Sequence, residues 1–236
     1  MTTNTFIQPD FSQLIDASKD FFSLLEEKQK SKINVQLHLP YEEGRSRVEN
    51  FIWKGFKQHY GANIQHFLPN LISIGSQKKT QSALGFRGAS DYPMFIEQYL
   101  TQPIEMFFDS ENIVRKQIGE IGNLLGTKKL LTRQLFIITA MAISKAGYKK
   151  LVFCATPQIK SMLQSLAMTT HYIAKADPKC LGSQINCWGS YYESTPELLA
   201  IDLDQALFLI NQSKRYSKIS KTFTPMINQL AANLLN

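Results

Sequence analysis

The residues best placed to do chemistry lie in one stretch, Val114 to Thr156. An extended segment there ends in Gly119-Glu120-Ile121-Gly122-Asn123-Leu124, a long apolar helix follows, and a second extended run closes the unit. A strand that breaks at glycines and opens a helix is a common seat for a phosphate-bearing cofactor, because the first N–H groups of the helix point at the anion. Gly126, Thr127, Lys128 and Lys129 precede the helix, so backbone N–H groups and two ammonium groups could meet a pyrophosphate or a phosphopantetheine. On a regular strand Glu120 and Asn123 point to opposite faces. A bulge at Gly122 puts them on one face, and bulges unpair backbone groups beside active sites. A carboxylate in a buried strand must be paired, hydrogen-bonded or protonated, and Arg87 and Arg115 are the candidate partners of Glu120.

Arg87 and Glu97 are charged residues inside apolar strings, a placement that suggests a buried ion pair or recognition of a polar substrate. With Trp188 they are the candidate substrate-binding residues. Cys154, within Leu151-Val152-Phe153-Cys154-Ala155, reads as packing. The three cysteines form no CxxC pair and the histidines no HExxH, so neither a disulfide framework nor a metal site is expected, which suits a reducing cytoplasm.

The net charge of +7 favours anionic partners. The basic residues come in scattered pairs (Lys78-Lys79, Lys128-Lys129, Lys149-Lys150) without a nucleic-acid-binding motif, so nucleic acid is not expected as a partner. The N-terminus lacks the basic and apolar regions of a signal peptide, and the longest apolar run, Leu135 to Ile143, falls far short of the roughly 20 residues that span a bilayer. A soluble, cytoplasmic protein is the expectation.

The elements that must position these residues follow from periodicity. Residues 10 to 30 read as an amphipathic helix with mixed charges on its polar face. Ile33 to Leu39 reads as a first strand and Gly44 to Tyr60 as a helix. Leu71 to Ser76 and Gln81 to Arg87 form a hairpin, Met94 to Leu100 a short helical segment, and Val114 to Leu124 the central strand. The long helix, capped by Thr127 or Thr132, stops at Gly147. Leu151 to Ala155 is a strand buried on both faces, Ser161 to Met168 a helix and His171 to Ala176 a strand. Trp188 to Glu193 and Leu198 to Leu203 are the last sheet pieces, and Thr224-Pro225 opens a terminal helix. The chain divides into an N-terminal helical extension (1–32), an α/β domain (33–203) with a mixed, mostly antiparallel sheet flanked by helices, and a C-terminal helical extension (204–236).

That order, with a hairpin before a central strand and helix, resembles the GNAT-type acyltransferase fold shared by acyl-homoserine-lactone synthases. Five strings resemble one branch, the bacterial thermostable hemolysin family: Leu84-Gly85-Phe86-Arg87-Gly88-Ala89; Phe95-Ile96-Glu97-Gln98-Tyr99-Leu100 with Pro103-Ile104-Glu105; Gly119-Glu120-Ile121-Gly122-Asn123-Leu124; Ala176-Asp177-Pro178; and Trp188-Gly189-Ser190-Tyr191-Tyr192-Glu193. The resemblance implies an acyltransferase whose central strand splays, so that backbone at Gly122, Asn123 and Leu124 binds the pantetheine arm of a thioester donor. It also implies Glu120 as general base for a small amine or hydroxyl acceptor, and Tyr191 or Tyr192 as the phenol that protonates the departing thiolate. The loop Leu125-Gly126-Thr127-Lys128-Lys129 keeps only one of the two glycines usual in acetyl-CoA enzymes, so an acyl-carrier protein stands beside acyl-CoA as donor. Two other functions remain open: a membrane-active protein that uses its amphipathic ends, and a binding module without chemistry. The terminal helices offer a route to a homodimer.

Overall fold

The computed structural model describes residues 33–76, 79–90 and 93–235. The helix expected over residues 10 to 30 and the tip of the hairpin at Gln77-Lys78 lie outside the described residues.

Seven strands form one sheet in the order β1-β2-β3-β4-β5-β7-β6. They are β1 (Asn34–His38), β2 (Asn70–Ser76), β3 (Lys79–Gly88), β4 (Ile118–Gly126), β5 (Lys150–Ala155), β6 (His171–Lys175) and β7 (Glu197–Asp202). Neighbouring strands are antiparallel except β4 and β5, which are parallel. A parallel pair needs a crossover, supplied by α2 (Lys129–Lys145). Nine of its residues are buried and span nearly every direction around the axis, as expected of a helix enclosed on all sides. On one side it meets Ile72, Ile74, Leu84, Phe86, Leu151 and Phe153 of the sheet; on the other it meets the C-terminal helices α4 (Leu203–Gln212) and α5 (Lys214–Leu234), which belong to the same core. Ile219, Phe223, Ile227, Leu230 and Leu234 of α5 are buried there, so its apolar face already has a partner.

The opposite face of the sheet carries α1 (Arg45–Tyr60) and three 3-10 segments, Phe95–Tyr99, Ile104–Glu111 and Pro178–Cys187. In α1, Val48, Ile52 and Phe56 form the buried stripe at four-residue spacing. Gly55 lets it come close to the sheet, for a Cβ there would lie 2.1 Å from a methyl carbon of Leu125.

Four expectations are corrected. β4 begins at Ile118; Val114 precedes a short 3-10 turn, Arg115–Gln117, because the Arg115 side chain turns back to bond the Ala89 carbonyl, Glu97 and Glu105. Trp188 to Glu193 is not a sheet piece: Gly189 has φ +53° and the Ser190 N–H donates to the Tyr60 carbonyl, so this segment is stapled to the end of α1. The helix expected at Ser161 to Met168 is α3 (Pro157–Ser165), with proline at its first position. Pro225 lies inside α5 rather than at its start. The Lys221 carbonyl left without an N–H donor by Pro225 receives the Thr224 hydroxyl, which reaches it at 3.3 Å and the Ser220 carbonyl at 2.9 Å.

Candidate active site

β4 and β5 pair from Ile118 with Lys150 to Ile121 with Phe153, and there the ladder stops. β4 nevertheless continues as a strand to Gly126, held on its other side by β3, while Cys154 and Ala155 of β5 remain paired with β7. Beyond Ile121 and Phe153 the two parallel strands are therefore no longer bonded to each other, and the ladder has an opening between their backbones.

A bulge shapes this opening. Gly85 pairs with Gly122 and Ala83 with Leu125, so Leu84 faces both Asn123 and Leu124. The extra residue is Asn123, at φ +53°, in the left-handed region that asparagine tolerates. The bulge was expected at Gly122 and stands one residue later. Its effect is visible in the packing: Leu124 joins the α2 side and Leu125 the α1 side, the reverse of strict alternation from Ile121. The Asn123 side chain accepts the Leu68 N–H at 2.9 Å and donates to the His66 carbonyl at 3.4 Å. It thereby holds the 61–69 segment over the strand, with Leu68 against Gly85 and Gly122.

The expected cap of α2 is absent, since its N-terminus has no side-chain cap. Thr127 directs both its N–H and its hydroxyl to the Gln81 carbonyl, and the Thr132 hydroxyl bonds the Lys128 carbonyl. Gly126 is pressed against Thr132, and Lys128 and Lys129 are exposed. Of the expected donor-binding residues, Asn123, Leu124 and Thr127 have side chains engaged elsewhere. What this stretch presents to the opening is backbone, followed by the uncapped N–H groups of α2 and two ammonium groups.

Glu120 is 2% exposed. Its oxygens accept the Phe95 N–H at 3.0 Å and the Ile96 N–H at 2.9 Å, and Arg87 Nη2 lies 3.2 Å away. Burial raises its pKa, against the opposing pull of Arg87 and the two amides. In this arrangement Glu120 orders the 95–99 turn, with three donors on its two oxygens. Arg87 is its ion-pair partner; Arg115 instead binds Glu97 at 2.7 and 2.8 Å and Glu105 at 2.7 Å. Glu97 also accepts the Met94 and Ile104 N–H groups, and the Arg115 hydrogen bond is the main reason its pKa falls to about 2. Glu97, expected among the substrate-binding residues, here holds Arg115 and the Met94 and Ile104 amides. Arg87 retains a buried Nε that has no partner among the described residues and lines a cleft of about 580 Å³ with Tyr41, Glu42, Glu49, Phe67 and Pro69.

The β5 side of the opening is aromatic. Trp188 packs on Phe56, Phe95, Tyr191 and Tyr192. Tyr191 is buried and points its hydroxyl at the Cys154 carbonyl, 3.5 Å away. Tyr192 is half-buried and hydrogen-bonds Tyr99, a residue the sequence did not single out. Tyr99 lies 93 positions away, and no local pattern announces a pair so distant. Burial pushes the Cys154 thiol up to about 12, which removes it as a nucleophile at neutral pH. Among the described residues no three His, Cys, Asp or Glu side chains converge as metal ligands, and no helix is long and apolar enough to cross a membrane.

A mixed sheet whose single parallel pair ends beside a bulge, with a long helix opening where the strand ends, is GNAT-like. The chain belongs to the thermostable hemolysin family, whose model matches residues 39–207. No curated protein sequence matches it. Among solved structures it is similar to the acyl-homoserine-lactone synthase LasI (TM-score 0.51, 12% identity, 72% of this chain and 90% of that one). It is also similar to TofI in complex with an inhibitor and MTA (0.53, 9%, 78% and 99%), and to FeeM, an N-acyl amino acid synthase from uncultured soil microbes (0.50, 10%, 79% and 98%). At these identities the likeness is one of fold.

Proposed function

We propose that the protein moves an acyl group from a thioester donor, acyl-CoA or an acyl-carrier protein, to a small amine or hydroxyl acceptor. The observation that carries this reading is the end of the β4–β5 ladder at Ile121 and Phe153. An extended pantetheine arm carries amides of its own and can enter such a gap as an additional strand, with its phosphate directed to Lys128, Lys129 and the start of α2. The names of the similar structures describe acyl-homoserine-lactone and N-acyl amino acid synthases, which suits the same class of chemistry.

In this reading Tyr192 is the general acid for the departing thiolate, because the Tyr191 hydroxyl is occupied by Cys154. Trp188 walls the acyl end. The acceptor enters by the cleft at Arg87, and Glu120 keeps Arg87 and the 95–99 turn in place. The acceptor's proton leaves through water, since Glu120 is held by two backbone amides and Arg87. The three free cysteines fit a reducing, cytoplasmic setting.

A ligand that binds only the native state raises its melting temperature. A thermal-shift series with acyl-CoAs of increasing length and with acyl-carrier proteins is expected to show stabilisation by at least one donor, and release of free thiol when an amine mixture is added. No stabilisation by any thioester and no thiol release would refute the reading.

A further inference from the structure

The Tyr99–Tyr192 pair joins the 95–99 turn to the Tyr191–Ser194 segment at the edge of the β4–β5 opening. Two phenols that share one hydrogen bond must divide the roles of donor and acceptor, and here burial decides. Tyr99 is 8% exposed and its hydroxyl has no other partner among the described residues, whereas Tyr192 is half-buried. If Tyr192 donated, the hydrogen of the more buried residue, Tyr99, would have no acceptor among the described residues, a cost that grows with burial. With Tyr99 as the donor, Tyr192 keeps its own hydrogen free at the half-exposed rim beside Cys154.

We propose that Tyr99 is a positioning residue for acyl transfer: its hydrogen bond fixes the Tyr192 phenol at the opening and stabilises the phenolate left when Tyr192 gives its proton to the departing sulfur. The inference rests on the donor site proposed above. As the acceptor's new N–C or O–C bond forms, the C–S bond breaks with its electron pair on sulfur. The Tyr192 proton moves to that sulfur to give the free thiol, and the proton shed by the acceptor reaches Tyr192 through water at its exposed edge. Burial raises both phenols, and the bond from Tyr99 opposes that rise at Tyr192, in keeping with Tyr192 as the one that ionises.

Glu120 and Glu97 enter the same device from below. They bind the N–H groups of Met94, Phe95 and Ile96 at the start of the turn that carries Tyr99. The buried carboxylates thus set the height of the phenol rather than touch the reacting atoms.

Calorimetric titration with CoA and with desulfo-CoA, which lacks the sulfur, tests this without turnover. At pH 9 the wild-type protein is expected to bind CoA about tenfold more tightly than desulfo-CoA, the size of one hydrogen bond to a charged group. Tyr99→Phe and Tyr192→Phe, which keep both rings, are each expected to abolish that preference while desulfo-CoA affinity stays unchanged. Equal weakening of both ligands by Tyr99→Phe, or a preference retained in either variant, overturns the inference and leaves the donor site standing. Failure of the wild-type protein to bind either ligand overturns the donor site together with the inference.

Discussion

Replacing Asn123 tests whether the bulge is built by one side chain and one unusual dihedral angle. Asn123→Gly keeps access to φ +53° but removes the bond to the Leu68 N–H. Leu68 is 8% exposed, so an amide left unsatisfied there costs about 1–3 kcal/mol. Asn123→Ala loses the same bond and adds the clash of a Cβ in the left-handed region, about 1–2 kcal/mol more. Deleting residue 123 removes the bulge and exchanges the faces of Leu124 and Leu125, which pack on opposite sides of the sheet. Misplacing two leucines costs on the order of 3–5 kcal/mol. The expected order of urea stability is wild type, glycine variant, alanine variant, deletion, with unchanged m-values for the two substitutions. An alanine variant within about 0.5 kcal/mol of wild type would refute the reasoning, because neither the left-handed backbone nor the Leu68 bond would then carry the energy assigned to it.

Other expectations follow from the charged scaffold. Since the Glu97 pKa is held at about 2 in the folded protein, its contribution is present above the ordinary carboxylate range and is lost as pH falls through about 4 toward 2. Acid unfolding followed by circular dichroism should therefore show a limb of at most about 3 kcal/mol that flattens in Glu97→Gln. Glu120→Ala strands Arg87 and two amides and is expected to cost about 3–5 kcal/mol, with Glu120→Gln milder; equal stability of Glu120→Ala and wild type by urea titration would contradict the scaffold role. In Gly126→Ala the new Cβ would lie 1.9 Å from the Thr132 hydroxyl oxygen, so a loss of about 1–3 kcal/mol is expected. Thr132→Ala should recover part of that loss in the double variant, as a double-mutant cycle would report.

Much of the architecture was legible in the sequence because burial leaves a periodic trace. The continuous apolar run at Leu151 to Ala155 marks a strand covered on both faces, and the dense apolar content of Leu135 to Ile143 marks the enclosed crossover helix. The 3-10 segments at 104–111 and 178–187 left no such trace, because they are shaped by distant partners. One such partner is Lys150, which is 1% exposed and, at the start of β5, bonds Glu111 and Asp202. The partner of Glu120 could be narrowed to two arginines but not chosen, since the choice depends on where Arg115 meets Glu97. Gly122 drew the bulge because glycine tolerates it, whereas the neighbouring asparagine had the side chain to anchor a loop. The Tyr99–Tyr192 contact, made between segments far apart in the chain, had no signature in either string.

A crystal structure of the protein soaked with octanoyl-CoA tests the central claim most directly. The pantetheine arm is expected between residues 122–126 and Cys154–Ala155, bonded to backbone on at least one strand, with the phosphates at Lys128 and Lys129 and the sulfur within hydrogen-bond reach of the Tyr192 hydroxyl. Octanoyl-CoA bound at another place, with the β4–β5 opening empty or closed, would contradict that claim.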